Sequence, residues 1–167
     1  MKKLRKFITK LLSIILLLPA YAWSIEDYSN NNDYRSLHFM TSAYAYHYKK
    51  SKAFKPVWLV GLEKEYENDT LAGVAIFSNS FGLLSTYVYP YGMIYRNKSF
   101  VDGFYAKWSV GIIYGYVGKH KDKVSINYHG FSPAFIPSVG IEKNDYQFQI
   151  TVLGDKGLMF QLNKKFK

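Results

Sequence analysis

Four histidines, at positions 38, 47, 120 and 129, are the side chains of this chain best placed to move protons near neutral pH. None sits in a metal-ligand spacing such as H-E-x-x-H, and the sequence has no phosphate-binding glycine loop, so neither a metal nor a cofactor is expected. His47 has a hydroxyl and an amide, Ser80 and Asn79, well downstream of it. An imidazole, a hydroxyl and an amide are a set that general-base chemistry can draw on, provided the fold gathers them. Two basic clusters accompany them: Lys49, Lys50, Lys52 and Lys55, then Lys119, His120, Lys121 and Lys123.

The elements that would position these residues are legible as alternation. Tyr44, Tyr46 and Tyr48 share one parity, and Ala43, Ala45 and His47 the other. After a lysine-rich break, Trp58, Val60 and Leu62 alternate with Gly61, Glu63 and Glu65. Successive side chains on a strand point to opposite faces, so each run has one apolar face and one small or polar face. The same reading gives strands over 37–48, 57–66 and 71–77. A fourth carries Tyr87, Tyr89, Tyr91, Met93 and Tyr95 on one face, and a fifth spans 104–116. The sixth falls within 124–140 and is interrupted by Pro133 and Pro137. The seventh sets Tyr146, Phe148, Ile150 and Val152 against Gln147, Gln149 and Thr151. The eighth sets Leu158, Phe160, Leu162 and Phe166 against Gln161, Asn163 and Lys165.

Eight such strands predict an all-β fold over 36–167: an eight-stranded antiparallel up-and-down transmembrane β-barrel with a short N-terminal periplasmic segment. In such a barrel the apolar face meets lipid and the polar face lines the interior, where Lys107 on the fifth strand is tolerable. The alternative is a soluble exported barrel with an apolar pocket, lipocalin-like.

Residues 1–22 read as a secretory leader. Lys2, Lys3, Arg5, Lys6 and Lys10 form the charged start, 11–18 the apolar core, and Ala20-Tyr21-Ala22 the cleavage pattern. The formal net charge is +10, and those five basic residues would leave with the leader, which weakens any nucleic-acid reading. Residues 23–35, with Asn30, Asn31, Asn32 and Asp33 in series, read as the periplasmic segment. The chain has no cysteine, so disulfides do not staple it. With 16 Tyr, 12 Phe and 3 Trp in an exported chain, the outer membrane of a Gram-negative cell is the expected address.

With the N-terminus in the periplasm, 49–56, 78–84, 117–124 and 154–157 become the outer connections. His47 then ends the first strand at the outer rim, and Asn79 and Ser80 lie just past the outer end of the third. The first and third strands flank the second, so their backbones are separated by ~10 Å. Both lysine clusters share that rim and face the phosphates of lipopolysaccharide.

Three stretches resemble the lipid A palmitoyltransferase (PagP-like) family of small outer-membrane barrels. Tyr46-His47-Tyr48, the basic loop and Val60-Gly61-Leu62-Glu63 are similar to that family's histidine-bearing first strand and glycine-containing second. Phe77-Ser78-Asn79-Ser80-Phe81 is similar to its Phe-Lys-Asp-Ser-Trp. The run 133–140 is similar to its proline-spaced segment ending in Ser-Val-Gly. The resemblance implies a monomer in the outer-membrane bilayer, with phospholipid and lipid A, rather than nucleic acid, as partners. It also implies transfer of a palmitoyl-type chain from phospholipid to lipid A at the outer rim.

On this resemblance His47 is the general base, with Ser80 and Asn79 orienting it or donating to the oxyanion. Asn79 departs from the family's aspartate, and His38 is a second candidate for the matching histidine. Lys49, Lys50 and Lys52 would hold lipid phosphates. Pro133 and Pro137 would mark a gap through which lipid enters sideways, and Gly92, with Gly111 and Gly115, would leave room inside for the chain. A non-enzymatic small barrel serving envelope integrity or surface interaction is the alternative function.

Overall fold

The computed structural model describes residues 34–49, 51–96, 101–124 and 126–166. The expected leader, the segment 23–33, and Lys50 lie outside them; residues 34 and 35 already belong to the first strand. The strands are β1 (Tyr34–His47), β2 (Trp58–Tyr66), β3 (Thr70–Ser78) and β4 (Leu84–Arg96). After them come β5 (Phe104–Tyr114), β6 (Phe131–Lys143), β7 (Tyr146–Val152) and β8 (Gly157–Phe166). Each pairs antiparallel with its neighbour in sequence, and β8 returns to β1, closing the barrel expected from the alternation. Closure pairs every strand on both sides over at least part of its length, which limits the unpaired backbone an all-β chain presents. Among the described residues no helix is long and apolar enough to cross a membrane.

The β1–β2, β3–β4, β5–β6 and β7–β8 connections leave the strands at one end, here the loop end; the β2–β3, β4–β5 and β6–β7 connections leave them at the other, the turn end. The exterior is the apolar face. Phe39, Tyr44, Trp58, Leu62, Ile76, Val110, Phe135 and Phe148 stand exposed on it. The interior holds Glu63, Glu65, Lys107, Gln147, Gln149, Gln161 and Asn163, all buried. This inverts the usual soluble arrangement.

Three details differ from the simple alternation. Tyr87 and Tyr89 point inward, whereas Tyr91 and Tyr95 point outward. The β4–β5 register shifts between Val88 and Tyr91, around Pro90. A proline cannot donate to the ladder, and the resulting bulge flips the parity of everything before it. Gly73, opposite Tyr89, has no Cβ, and a side chain there would collide with the phenol. Likewise a shift between Thr41 and Tyr44 on β1 leaves Ala43 exposed, while Ala45 packs on the core.

The third detail is β6, which runs unbroken through both prolines. The Glu142 amide donates to the Gly103 carbonyl at 2.8 Å, on the β5 side. Amide directions alternate along a strand, and the β5–β6 register has no shift from Phe104↔Ile141 to Tyr114↔Phe131. The nitrogens of Pro133 and Pro137 therefore face away from β5. On that other side β6 pairs with β7 only from Ser138↔Thr151 to Lys143↔Tyr146. The prolines thus spare the β5 ladder and occupy an open edge. Residues 131–137 border a notch in the loop-end wall, between β6 and β7.

The lumen has two halves. Toward the turn end, Glu65 accepts from Arg35 at 2.9 Å and from Arg96 at 2.8 and 2.9 Å, and contacts His38 at 3.3 Å. Gln149 bonds Gln161 and Asn163 beside them. Toward the loop end the walls become apolar, with Met40, Val57, Leu59, Ala75, Phe77 and Met159. A lumen polar throughout, as the alternation implied, is therefore only half correct.

Candidate functional site

At the end of β1, His47 Nε2 lies 2.6 Å from Ser80 Oγ, in a part-buried contact. The tautomer decides which of the two donates. The alternative histidine, His38, is fully buried in the turn-end half, between Ser36 at 2.8 Å and Glu65. Of the two, only His47 stands at the rim beside the hydroxyl.

Ser80 is aimed by the turn that carries it. The Gly82 amide donates to the Asn79 carbonyl at 2.8 Å, and Gly82 takes the positive φ of 78° that glycine tolerates. Asn79 Oδ1 accepts from the amides of Phe81 at 2.9 Å and Leu83 at 3.2 Å, while Nδ2 donates to Ser85 Oγ at 3.0 Å. The amide of Asn79 is thus spent on the turn, as Asn side chains in turns commonly are. All of its side-chain bonds go to Phe81, Leu83 and Ser85, so the structure brings together His47 and Ser80 but not the third expected member. The Lys55 amide donates to the Ser80 carbonyl at 2.9 Å and ties the first loop to this turn.

Rings hold the imidazole instead. His47 stacks on Phe54, centroids 4.4 Å apart. Phe54 meets Phe81 edge-on at 5.8 Å, and Phe81 stacks on His120 at 4.3 Å. Lys123 Nζ sits 5.8 Å from the Phe81 centroid. This ladder links the first, second and third loops over the lumen. Offset and edge-on ring pairs contribute about 0.5–1.5 kcal/mol each beyond area burial. The sequence displays these rings, but nothing in their spacing says that loops so far apart stack.

Beneath the ladder lies a cavity of about 720 Å³. It falls within the roughly 300–1,000 Å³ typical of small-molecule sites. His47, Ser80, Phe54, Phe81 and His120 border its mouth. Met40, Leu59, Ala75, Phe77, Ile113 and Met159 line its walls. Leu71 and Phe77 of β3 both line it; at a rise of ~3.4 Å per residue and a strand tilt of ~40°, that makes it roughly 15 Å deep. The floor is an ion pair: Lys107 Nζ reaches Glu63 Oε1 at 2.6 Å, and Tyr89 donates to Glu63 Oε2 at 2.7 Å. An inward acid on β2 and an inward lysine on β5 were visible in the sequence, and charge balance inside a barrel was the signal that could have paired them.

Lys49, Lys119, Lys123 and Lys156 ring the mouth. Asp155 joins them, its carboxyl held below the usual range by the Lys156 ammonium at 2.8 Å. Tyr116, just past β5, also lines the cavity, and burial pushes its phenol above the ordinary value. Lys52 is exposed and stands off the lining. Gly92 is buried and does not line the cavity either; a Cβ there would press on the Trp108 carbonyl at 2.5 Å, so its role is close strand packing. Pro133 and Pro137 face outward, at the notch. Among the described residues no cluster of His, Asp and Glu is arranged to hold a metal. No protein-family model and no curated protein matches the chain.

Proposed function

We propose that this barrel sits in the outer membrane of a Gram-negative cell and transfers an acyl chain from a phospholipid to lipid A. The apolar exterior supports the membrane reading, because an exposed patch of that extent on a soluble monomer would drive association. The observation that carries the transfer reading is the His47–Ser80 contact at the mouth of a deep apolar cavity. A chain lying in the cavity would leave its ester carbonyl at the mouth, within reach of the imidazole.

The chemistry follows from that placement. The acceptor hydroxyl of lipid A gives its proton to His47 Nε2, with the Ser80 hydroxyl as relay, while its oxygen attacks the ester carbon. The tetrahedral intermediate collapses, the C–O bond to the glycerol breaks, and the lysophospholipid oxygen takes the proton back from His47. Lys49, Lys119, Lys123 and Lys156 hold the phosphates of both lipids at the rim. The notch beside Pro133 and Pro137 is the lateral way in for the phospholipid chain.

A second reading rests on Asn79. Its amide is committed to the turn, so no carboxylate supports a protonated His47, and the loss of such a partner can be severe. On that reading the barrel holds a lipid chain without transferring it. Mass spectrometry of lipid A from cells with and without the gene separates the two. Transfer adds one acyl mass to lipid A, and His47→Ala or Ser80→Ala lowers the rate by roughly 10²–10⁴. Unmodified lipid A in the presence of abundant folded barrel removes the enzyme.

A further inference from the structure

Three outward-facing lysines stand together at the turn end, away from the site just described. Lys143 of β6 is opposite Tyr146 of β7, and Tyr146 is opposite Lys164 of β8. Lys164 is opposite Phe39 of β1, and Leu37, two positions back on the same face, is opposite Lys64 of β2. At ~4.8 Å per strand, Lys143 and Lys164 are ~10 Å apart at the backbone, and Lys164 and Lys64 roughly 12 Å.

Rings hold two of the three ammonium groups at this level. Lys164 Nζ lies 5.7 Å from the Tyr146 centroid and 5.6 Å from that of Phe166. Lys64 Nζ lies 4.9 Å from the Tyr66 centroid. Lysines beside aromatic rings at the end of an apolar wall are placed for the bilayer interface, with stems in hydrocarbon and heads at the phosphates.

The arrangement is one-sided. The outward positions toward the turn end of β3, β4 and β5 are Ala72, Met93, Tyr95, Ala106 and Trp108, with no cation among them. The acids at this end are mostly turned to other partners: Glu65, Glu67 and Asp69 pair with Arg35, and Glu142 with Arg96. Asp145 in the β6–β7 turn and Asp102 in the β4–β5 connection are further exposed acids at this end, both off the strands. The face formed by β6, β7, β8, β1 and β2 is therefore cationic, aromatic and free of outward acids on its strands.

We propose that this face binds the phosphate headgroups of anionic phospholipid in the leaflet that meets the turn end. The proposal rests on the membrane reading above but not on acyl transfer. Each lysine near an anionic surface contributes about 1 kcal/mol, or roughly fivefold in affinity.

The test uses the full chain refolded in detergent with equal phosphatidylglycerol and phosphatidylethanolamine, the retained lipid being counted by native mass spectrometry. Wild type should retain phosphatidylglycerol preferentially. K143Q and K164Q should each lower that retention about fivefold and together about 25-fold, while A106Q, an outward position at the turn end of β5 on the side without cations, should leave it unchanged. Heat-modifiable gel migration reports that each variant is folded. Equal retention of the two lipids, or a double variant that retains phosphatidylglycerol like wild type, overturns the proposal and leaves the membrane reading standing. A chain that stays folded and monomeric in buffer without amphiphile overturns the membrane reading itself.

Discussion

Replacing Lys107 by Met should destabilise the barrel far more than removing both members of its ion pair. Lys107 and Glu63 are 7% and 3% exposed, and their charged atoms are 2.6 Å apart. At an effective dielectric near 20 that separation gives an attraction of ~6 kcal/mol, most of it offset by taking both charges out of water. A single substitution removes the attraction but leaves the desolvation of the remaining charge. Lys107→Met or Glu63→Gln should therefore cost about 3–5 kcal/mol each. Glu63→Gln also leaves Tyr89 with a neutral acceptor in place of a carboxylate, a weaker bond.

The double variant has no stranded charge, and Met and Gln roughly preserve the volumes, so it should lie within about 2 kcal/mol of wild type. The coupling energy of the cycle is then at least about 4 kcal/mol, well beyond the additivity expected of independent sites. Urea unfolding of the refolded chain in lipid vesicles, followed by tryptophan fluorescence, measures all four states. Singles within about 1 kcal/mol of wild type would mean that water reaches the pair and screens it. A double variant equal to the sum of the singles would mean that the two charges do not act as a unit. Either result refutes the dry floor on which the cavity rests.

Asn79→Ala should cost about 1–3 kcal/mol through the unpaired amides of the turn, and should lower transfer although Asn79 does not touch His47. Asn79→Asp, which keeps both amide bonds, should retain more stability in the same urea assay. Pro137→Val restores a donor at the notch, opposite the position where β7 ends, and should stabilise by about 1 kcal/mol while slowing uptake of a fluorescent phospholipid into the barrel. Ala75→Leu narrows the cavity wall, so competition between phospholipids of different chain length should shift toward the shorter chain.

Strand number, order and most of the facing were legible because a closed sheet forces a period of two on every segment. Tyr146 to Val152 and Leu158 to Phe166 show it without exception. The failures sit where the backbone breaks that period. Pro90 shifts β4 and carries Tyr87 and Tyr89 inside; a count of alternate residues cannot see a bulge, although the proline itself was the available warning. Pro133 and Pro137 were read as interruptions, because a missing donor looks the same whether the adjacent strand is paired or absent. The topology brought His47 and Ser80 to one rim, since that needs only the strand order. The sequence could not tell whether Asn79 would use its amide on the imidazole or on its own turn, because both lie within reach of a short side chain and the loop geometry decides.

The interior division bears on function more than any single residue. Tyr105, His38, Glu65 and Asn163, each with at most 1% exposure, fill the turn-end half, so the lumen is a cup that opens at the loop end. A cup with a largely apolar wall, a charged floor and a side notch suits a ligand that is mostly hydrocarbon. A polar solute would find no partner along Leu59, Ala75, Phe77 and Met159, and partners only on the narrower side lined by Ser109, Ser138, Gln149, Thr151 and Gln161. The polar end of such a ligand would lie at the rim, beside the His47–Ser80 contact and the lysines. Among the described residues no carboxylate hydrogen-bonds the imidazole, which instead has the Phe54 face 4.4 Å away. A ring face attracts a cation by about 0.5–2 kcal/mol, less than a buried carboxylate supplies. His47 is therefore oriented by stacking but only weakly stabilised when charged. Under the proposed function, that combination predicts slow transfer of a chain held for a long time rather than rapid turnover.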